Sequence, residues 1–380
     1  MRGTARPLPL PNNHEAVDVA HLPSHLGSWL DANATRLDTS ADLATHVLPK
    51  LAEANLFRIG VPVKWGGSGG GITDATAAIA EVSTYSLTAG FVFWGHRTFI
   101  EYLLQSPNAR LRETLLPDLL VGKRGGATGL SNAMKFLSGI EELSVQAQRS
   151  GTSLQLDGRL PWVTNLPVAG FHVAMAVQGV DGAPAFIASL ASGDSGLERS
   201  ADLDLMALRG SNTAALKINS VRIGDDRIIH PNAAEWLPKV RSAFLSMQCA
   251  LTIGLARRAL AEAAAKIRDD RDILSEPIVA LTAELAATEA ALHEGSEGSR
   301  FVEQPASLFR LRIRLAEIAI QAVQFELSSA GGRAYLSQPG EGFQRRLREA
   351  AFVPIVTPSL VQLKLALRLQ ELPAASEATA

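Results

Sequence analysis

The chain has 380 residues, 47% of them apolar and 19% charged, and a formal net charge of −2. That length and apolar share allow a large buried core in roughly two or three domains. The near-neutral charge gives no basic face for nucleic acid or an anionic membrane surface. Cys249 is the only cysteine, which rules out an internal disulfide or a cysteine-rich metal site and suits a reducing compartment.

The opening stretch "MRGTARPLPLPNNHEAV" is Pro-rich and lacks the apolar segment of a signal peptide. No apolar run approaches the roughly 20 residues of a membrane span. A soluble, cytoplasmic protein is expected. From about Ala16 to Val121 the text is helical, with apolar residues at three- and four-residue spacing in "DLATHVLPKLAEANLF", "TDATAAIAEVSTYSL" and "FIEYLLQ". Within it, "VKWGGSGGGITD" carries five glycines in six positions ahead of a helix. A phosphate-cradling loop would follow its last glycine with Lys-Ser or Lys-Thr, and neither is present. The run reads as a turn between helices, with Thr73 or Asp74 as N-cap.

From about Gly125 to Glu235 the period changes to that of strands. "LSVQAQRSGTSLQLDGR" alternates about a turn, "FHVAMAVQ" and "PAFIASL" are short β-rich runs, and "AALKINSVRI" alternates again. Asp157-Gly158 and Asp181-Gly182 supply turn chemistry. From Trp236 onward Ala- and Leu-rich helices return, and the tail "PAASEATA" carries no pattern. The expected division is a helical block at 15–124, a β block at 125–235, a helical bundle at 236–372 and a tail at 373–380. No period repeats, and the eight histidines show no metal-ligand spacing. Near the end, "AAFVPIVTPSLVQL" (Ala350 to Leu363) has no charged residue.

Several segments, in order, resemble the acyl-CoA dehydrogenase family. "LDGRLPWVTNL" resembles its Gly-Arg-Lys-x-Trp-Ile-Thr-Asn run, and the glycine run resembles its helix-to-helix loop ending in Gly-Gly. "LMALRGSNTAALKINSVRI" resembles its Arg-Gly-Ser-x-Thr segment and following strand. "LTIGLARRALAEA" resembles the helix that opens its C-terminal bundle, and "LSSAGGRAYLSQPGEGFQRRLREA" its Gly-Gly turn and Arg-Asp-Ala helix. The resemblance runs from about Leu56 to Leu369. It implies a mainly α protein with a middle β domain: an N-terminal helical domain, a β-barrel-like middle domain and a C-terminal four-helix bundle, in dimers or tetramers.

It also implies a flavin, FAD or alternatively reduced FMN or FAD supplied by a reductase. Trp162 would lie near the flavin ring, Thr164 at its N5 edge and Ser131 at its pyrimidine edge. Gly331 and Gly332 would admit the cofactor pyrophosphate of a neighbouring subunit. Arg271 takes the place of a nucleotide-contacting arginine, although the Phe-Gly pair that accompanies it is missing from "RDDRDILSEP". The implied reaction is α,β-dehydrogenation of an acyl thioester, with hydride passing to flavin N5 and an electron acceptor as partner.

The departures fall on that reaction. "ATGLSNAMKFLSGIEEL" replaces the family's Leu-Thr-Glu-Pro-x-Ala-Gly-Ser-Asp run, with Asn132 for the glutamate and Ser138 as a further ligand candidate. Thr357 stands where the catalytic glutamate is expected and Pro358 where a glycine follows it. No Asp or Glu lies between Trp236 and Leu260, where some relatives keep the base. General-base catalysis contributes about 10²–10⁴-fold, and a hydroxyl is no substitute near neutrality. Glu101, Glu341 and Glu349 could serve only if folding turns one inward. The same fold has a monooxygenase branch that takes reduced flavin from a reductase, needs no such base and tends to place a histidine near the flavin, here His96. A dehydrogenase, a monooxygenase acting on a small organic compound, and a silent ligand- or partner-binding relative are the three readings.

Overall fold

The computed structural model describes residues 22–137, 141–267 and 269–371. The expectations for residues 15–21, Ser138 and the tail lie outside them. The chain opens with α1 (Ser24–Thr39), α2 (Ala44–Glu53), α3 (Ile72–Tyr85), α4 (Leu87–Leu104) and α5 (Ala109–Leu120). Every residue of α4 from Leu87 to Leu103 is buried, as befits a helix apolar on all sides. Its one arginine, Arg97, is held by Glu101 (2.9 Å) and by the carbonyls of Ile59 (3.2 Å) and Gly60 (2.7 Å). A buried guanidinium thereby fixes the chain entering the glycine run, with its charge and donors satisfied.

The glycine run is a turn, but its helix start differs from the expectation. The N-cap of α3 is Gly71, and Asp74 reaches back to accept from the Gly71 amide at 2.7 Å. Gly66, Gly69 and Gly70 all have φ near +80°, a conformation open to glycine and strained for other residues. Asp74 therefore acts as the third helical residue returning to the cap.

Among the described residues eight strands follow: β1 (Gly125–Thr128), β2 (Val145–Ser150), β3 (Ser153–Val163), β4 (Phe171–Val177), β5 (Phe186–Ala191), β6 (Leu197–Asp202), β7 (Ala214–Ile223) and β8 (Ile228–His230). They form two sheets, β1-β4-β5-β8 and β2-β3-β7-β6. An apolar cluster that includes Leu156, Val173, Met175, Leu190 and Leu216 packs between them. Ala174, Ala176 and Ile187, on the other face of the first sheet, join the main helical core. That explains why "FHVAMAV" is buried at all seven positions instead of alternating. The β2–β3 turn falls at Gly151, and Asp181-Gly182 form a turn with positive φ at both. Asp157-Gly158 is not a turn: it lies inside β3 at a register shift against β7. A Cβ at Gly158 would stand 2.3 Å from the Ser144 carbonyl oxygen, so glycine serves a bulge there. A short helix, α6 (Ser131–Leu137), lies between the first two strands, in the stretch that replaces the family's Leu-Thr-Glu-Pro run.

The C-terminal part consists of α7 (Ala233–Ala265), α8 (Ser275–Ser296), a short α9 (Arg300–Glu303), α10 (Pro305–Ala330), α11 (Glu341–Phe352) and α12 (Leu360–Glu371). α7 packs most extensively against α3 and α10, which fuses both helical regions into one core. No described helix is long and apolar enough to cross a membrane.

Candidate functional site

The end of β3 and the start of β7 enclose a buried polar knot. Asn165 N–H donates to Ser211 O and Leu166 N–H to Asn212 O, both at 3.0 Å, so the two segments run side by side. Between them Thr164 Oγ1 lies 3.0 Å from Thr213 Oγ1, which lies 2.7 Å from Ser211 Oγ. Asn165, Leu208 and Asn212 all have φ between +51° and +62°. Each is a non-glycine residue in the left-handed region, at an energy of order 1–3 kcal/mol, and such strain gathers at functional sites. The helical parts of the chain hold it in place. Asp38 of α1, fully buried, accepts from Leu208 N–H at 3.0 Å and binds Arg348 of α11 at 2.7 Å. Asn212 donates to Ala44 O of α2. Two residues before Thr164, Trp162 is 62% exposed, an indole in water close along the chain to this rigid polar site.

His96 proves to be a structural residue. It is fully buried, its Nε2 donates to Leu119 O and its Nδ1 accepts from Gly126 N–H, both at 2.9 Å. Burial, reinforced by the neighbouring Arg97 charge and opposed by the Leu119 bond, lowers its pKa to about 4. Both nitrogens are thus engaged in joining α4, α5 and β1.

The segment around Thr357 is also wired into the core. Thr357 O accepts from Gln248 Nε2 at 2.9 Å, and Gln248 Oε1 accepts from Arg312 Nε at 3.2 Å. Arg312, fully buried, donates its Nη2 to Val353 O at 2.7 Å. The ionisable group nearest along this chain is therefore a guanidinium, which cannot accept a proton. The three carboxylates considered earlier are engaged elsewhere. Glu349 accepts from Arg345 at 2.8 Å and from Leu87 N–H at 3.2 Å; burial raises its pKa, and Arg345 opposes that rise. Glu101 is bound to Arg97 and Gln105, and Glu341 to Gln338. Stacked and edge-on rings of Phe91, Trp94, Phe244 and Phe352 join α4, α7 and α11 beside this segment. The charge-free stretch itself is only partly buried: Val353, Val356 and Leu363 enter the core, while Ile355 and Val361 face outward.

Gly331 and Gly332 follow α10, and Gly332 lines a cavity of about 840 Å³ whose walls carry Arg258, Lys266, Arg333, Arg345 and Arg346 together with Asp31 and Glu262. Gly331 has φ +60°, and no other group comes within 4 Å of where a Cβ on Gly332 would stand. The Gly332 peptide is thus open to a ligand, and cationic side chains outnumber the two carboxylates on the walls. A buried hydroxyl next to an exposed indole at one place, and an open glycine turn beside cationic side chains at another, fit the ring and pyrophosphate parts of a flavin nucleotide. Among the described residues no hydrogen bond links the Gly331-Gly332 turn to the Thr164 knot. Ser131 opens α6, half-buried, and its neighbour Asn132 is spent on the loop that follows, accepting from Ser144 N–H at 2.7 Å. Arg271 falls in a short 3-10 turn, and its side chain lies outside those described. The knot's partners Asp38, Ser211 and Thr213, and the pair Gln248 and Arg312, were missed from sequence; Ser211 and Thr213 stood in a quoted motif, whereas the other three carry no local signal.

The chain has the fold of the acyl-CoA dehydrogenases, and residues 29–123 match the family described as acyl-CoA dehydrogenase, N-terminal domain. Mitochondrial isovaleryl-CoA dehydrogenase of Pongo abelii is 29% identical over 191 residues, 48% of this chain and 44% of that protein. The match thus spans less than half the length of that relative. "Probable acyl-CoA dehydrogenase YngJ" of Bacillus subtilis (strain 168) is 24% identical over 348 residues, 85% of this chain and 88% of its own. Among solved structures, a glutaryl-coenzyme A dehydrogenase with glutaryl-CoA superposes with TM-score 0.81 at 16% identity, covering 95% of this chain and 96% of that one. A nitrososynthase from Micromonospora carbonacea var. africana superposes with TM-score 0.76 at 18% identity, over 94% and 96%.

Proposed function

We propose that this chain is a flavin-dependent oxidoreductase acting as a homo-oligomer. The observation that carries the reading is the knot at Thr164, a strained and fully braced set of hydroxyls beside the exposed Trp162. Bound flavin, FAD or reduced FMN or FAD from a reductase, would supply two-electron redox chemistry or the activation of oxygen. Trp162 packs on the ring, Thr164 bonds its N5 edge and Ser131 its pyrimidine edge. Gly331 and Gly332 receive the pyrophosphate of a neighbouring subunit's cofactor, with Arg271 at the nucleotide.

The relatives' names support α,β-dehydrogenation of an acyl thioester, with electrons passed to a separate acceptor. A specific observation supports the second reading, oxygenation of a small organic substrate. The Thr357 segment is bonded through Gln248 to the cation Arg312, and Glu101, Glu341 and Glu349 are all engaged by other groups. With these three carboxylates engaged, α-proton removal has none of them free as a base, whose contribution is about 10²–10⁴-fold, whereas oxygenation requires none. Anaerobic titration of the flavin-loaded protein with acyl-CoAs of different chain length separates them. Bleaching of the visible flavin band by one chain class establishes dehydrogenation. No bleaching, together with substrate-dependent oxygen uptake in the presence of a reductase, establishes oxygenation. A protein that binds neither oxidised nor reduced flavin belongs to the silent, ligand-binding reading.

A further inference from the structure

The hydroxyls of the knot have only one consistent hydrogen-bond direction. Ser211 Oγ lies 2.6 Å from Leu208 O, and a carbonyl oxygen only accepts, so the Ser211 proton is spent there. At the 2.7 Å Ser211–Thr213 contact the proton must then come from Thr213. That leaves the 3.0 Å Thr213–Thr164 contact to be donated by Thr164. All three hydroxyls are buried, Ser211 completely. The anchor of the relay is equally fixed: Leu208 is held in its left-handed conformation by its N–H bond to Asp38, which Arg348 pins in turn. Thr164 therefore presents lone pairs, and no proton, to whatever approaches it.

We infer that the Ser211–Thr213–Thr164 relay makes this site selective for reduced flavin over oxidised flavin. The inference rests on the reading that the flavin N5 edge meets Thr164. Oxidised N5 carries a lone pair and needs a donor, whereas reduced N5 carries a proton and needs an acceptor. An acceptor-only hydroxyl bonds the second and opposes the first. Ser211 and Thr213 are positioning residues, acting through Thr164. The effect raises the tendency of bound flavin to accept electrons, and it suits a protein that receives its flavin already reduced.

The test compares binding of FAD, oxidised and dithionite-reduced under anaerobic conditions, by the wild type, Ser211→Ala and Thr213→Val. One hydrogen bond gained against one opposed predicts about tenfold tighter binding of the reduced form. That equals a midpoint potential about 30 mV above free flavin for a two-electron couple. Either substitution frees a proton to point outward from Thr164, so the preference collapses in both, while a merely structural loss would weaken both redox forms equally. A wild-type potential at or below that of free FAD, or a preference unchanged in both variants, overturns the inference. Failure of the wild type to bind FAD in either form overturns the functional reading and the inference with it.

Discussion

Gly254→Val is expected to yield no folded protein, and Gly254→Ala a folded protein destabilised by about 3 kcal/mol or more. Gly254 lies where α7 crosses α3, the broadest helix contact in the molecule along with that of α7 and α10. A Cβ there would stand 2.3 Å from Ala80 O, 2.5 Å from Ser83 Cβ and 2.7 Å from Ser83 C. These atoms belong to the α3 backbone or lie one bond from it, so no rotamer change relieves the contact and the helices must separate. Whole domains are stable by only about 5–15 kcal/mol, and parting this crossing opens the core shared by both helical regions. Gly298, where nothing lies within 4 Å of an added Cβ, provides the control: Gly298→Ala stays within about 0.5 kcal/mol of wild type. Denaturant unfolding followed by circular dichroism reads all three, and a Gly254→Ala midpoint equal to wild type would mean the helices do not cross so closely.

The second large effect is loss of stability in mild acid. His96 and His172 both have pKa values lowered to about 4. For His172 burial is the main cause, with Arg124 and Arg227 adding to it and Asp194 and Asp118 opposing. An unfolded histidine titrates near 6.5. A folded value below the unfolded one means that each neutral imidazole contributes stability that is fully present above pH 6.5. It is lost as the pH falls through the interval to about 4. The loss is about 3 kcal/mol for each residue. The two are separable by mutation. His172 stacks on Phe99 with centroids 6.2 Å apart and its Nδ1 has no partner among the described residues, so His172→Phe keeps the packing and forfeits little at pH 7. It should remove about half of the stability change between pH 7 and 4.5. His96→Phe instead strands Leu119 O and Gly126 N–H and is destabilised at every pH, by about 2 kcal/mol or more. Parallel pH–stability curves for wild type and His172→Phe would show that His172 is not held neutral.

The order helices, strands, helices was legible because it rests on local periodicity, and five motifs in sequence order pointed to the fold. Where local chemistry admitted two outcomes, the tertiary structure decided. Asp157-Gly158 has the composition of a turn, yet β2 and β7 flank it, so its glycine becomes a bulge inside β3. Thr73 and Asp74 both suit an N-cap, but the Gly71 amide is the donor within reach of Asp74. α6 is not legible in the sequence because a seven-residue helix gives a periodicity signal of barely two turns. In the candidate site, Trp162, Thr164, Gly331 and Gly332 could be named because they stand in contiguous motifs. Asp38 could not, because its partners Leu208 and Arg348 lie 170 and 310 residues away. The engagement of His96 on both nitrogens likewise depends on α5 and β1, which only the folded chain brings to it.

The measurement that bears most directly on the account is a titration of the purified protein with FAD, oxidised and reduced, followed by tryptophan fluorescence in the wild type and in Trp162→Phe. Four other tryptophans are distributed through the chain, and Trp162 is the exposed one two residues before Thr164. The account predicts saturable quenching in the wild type and a clearly smaller quenching amplitude in Trp162→Phe. Absence of saturable quenching with either redox form, or equal amplitudes in the two proteins, would contradict it.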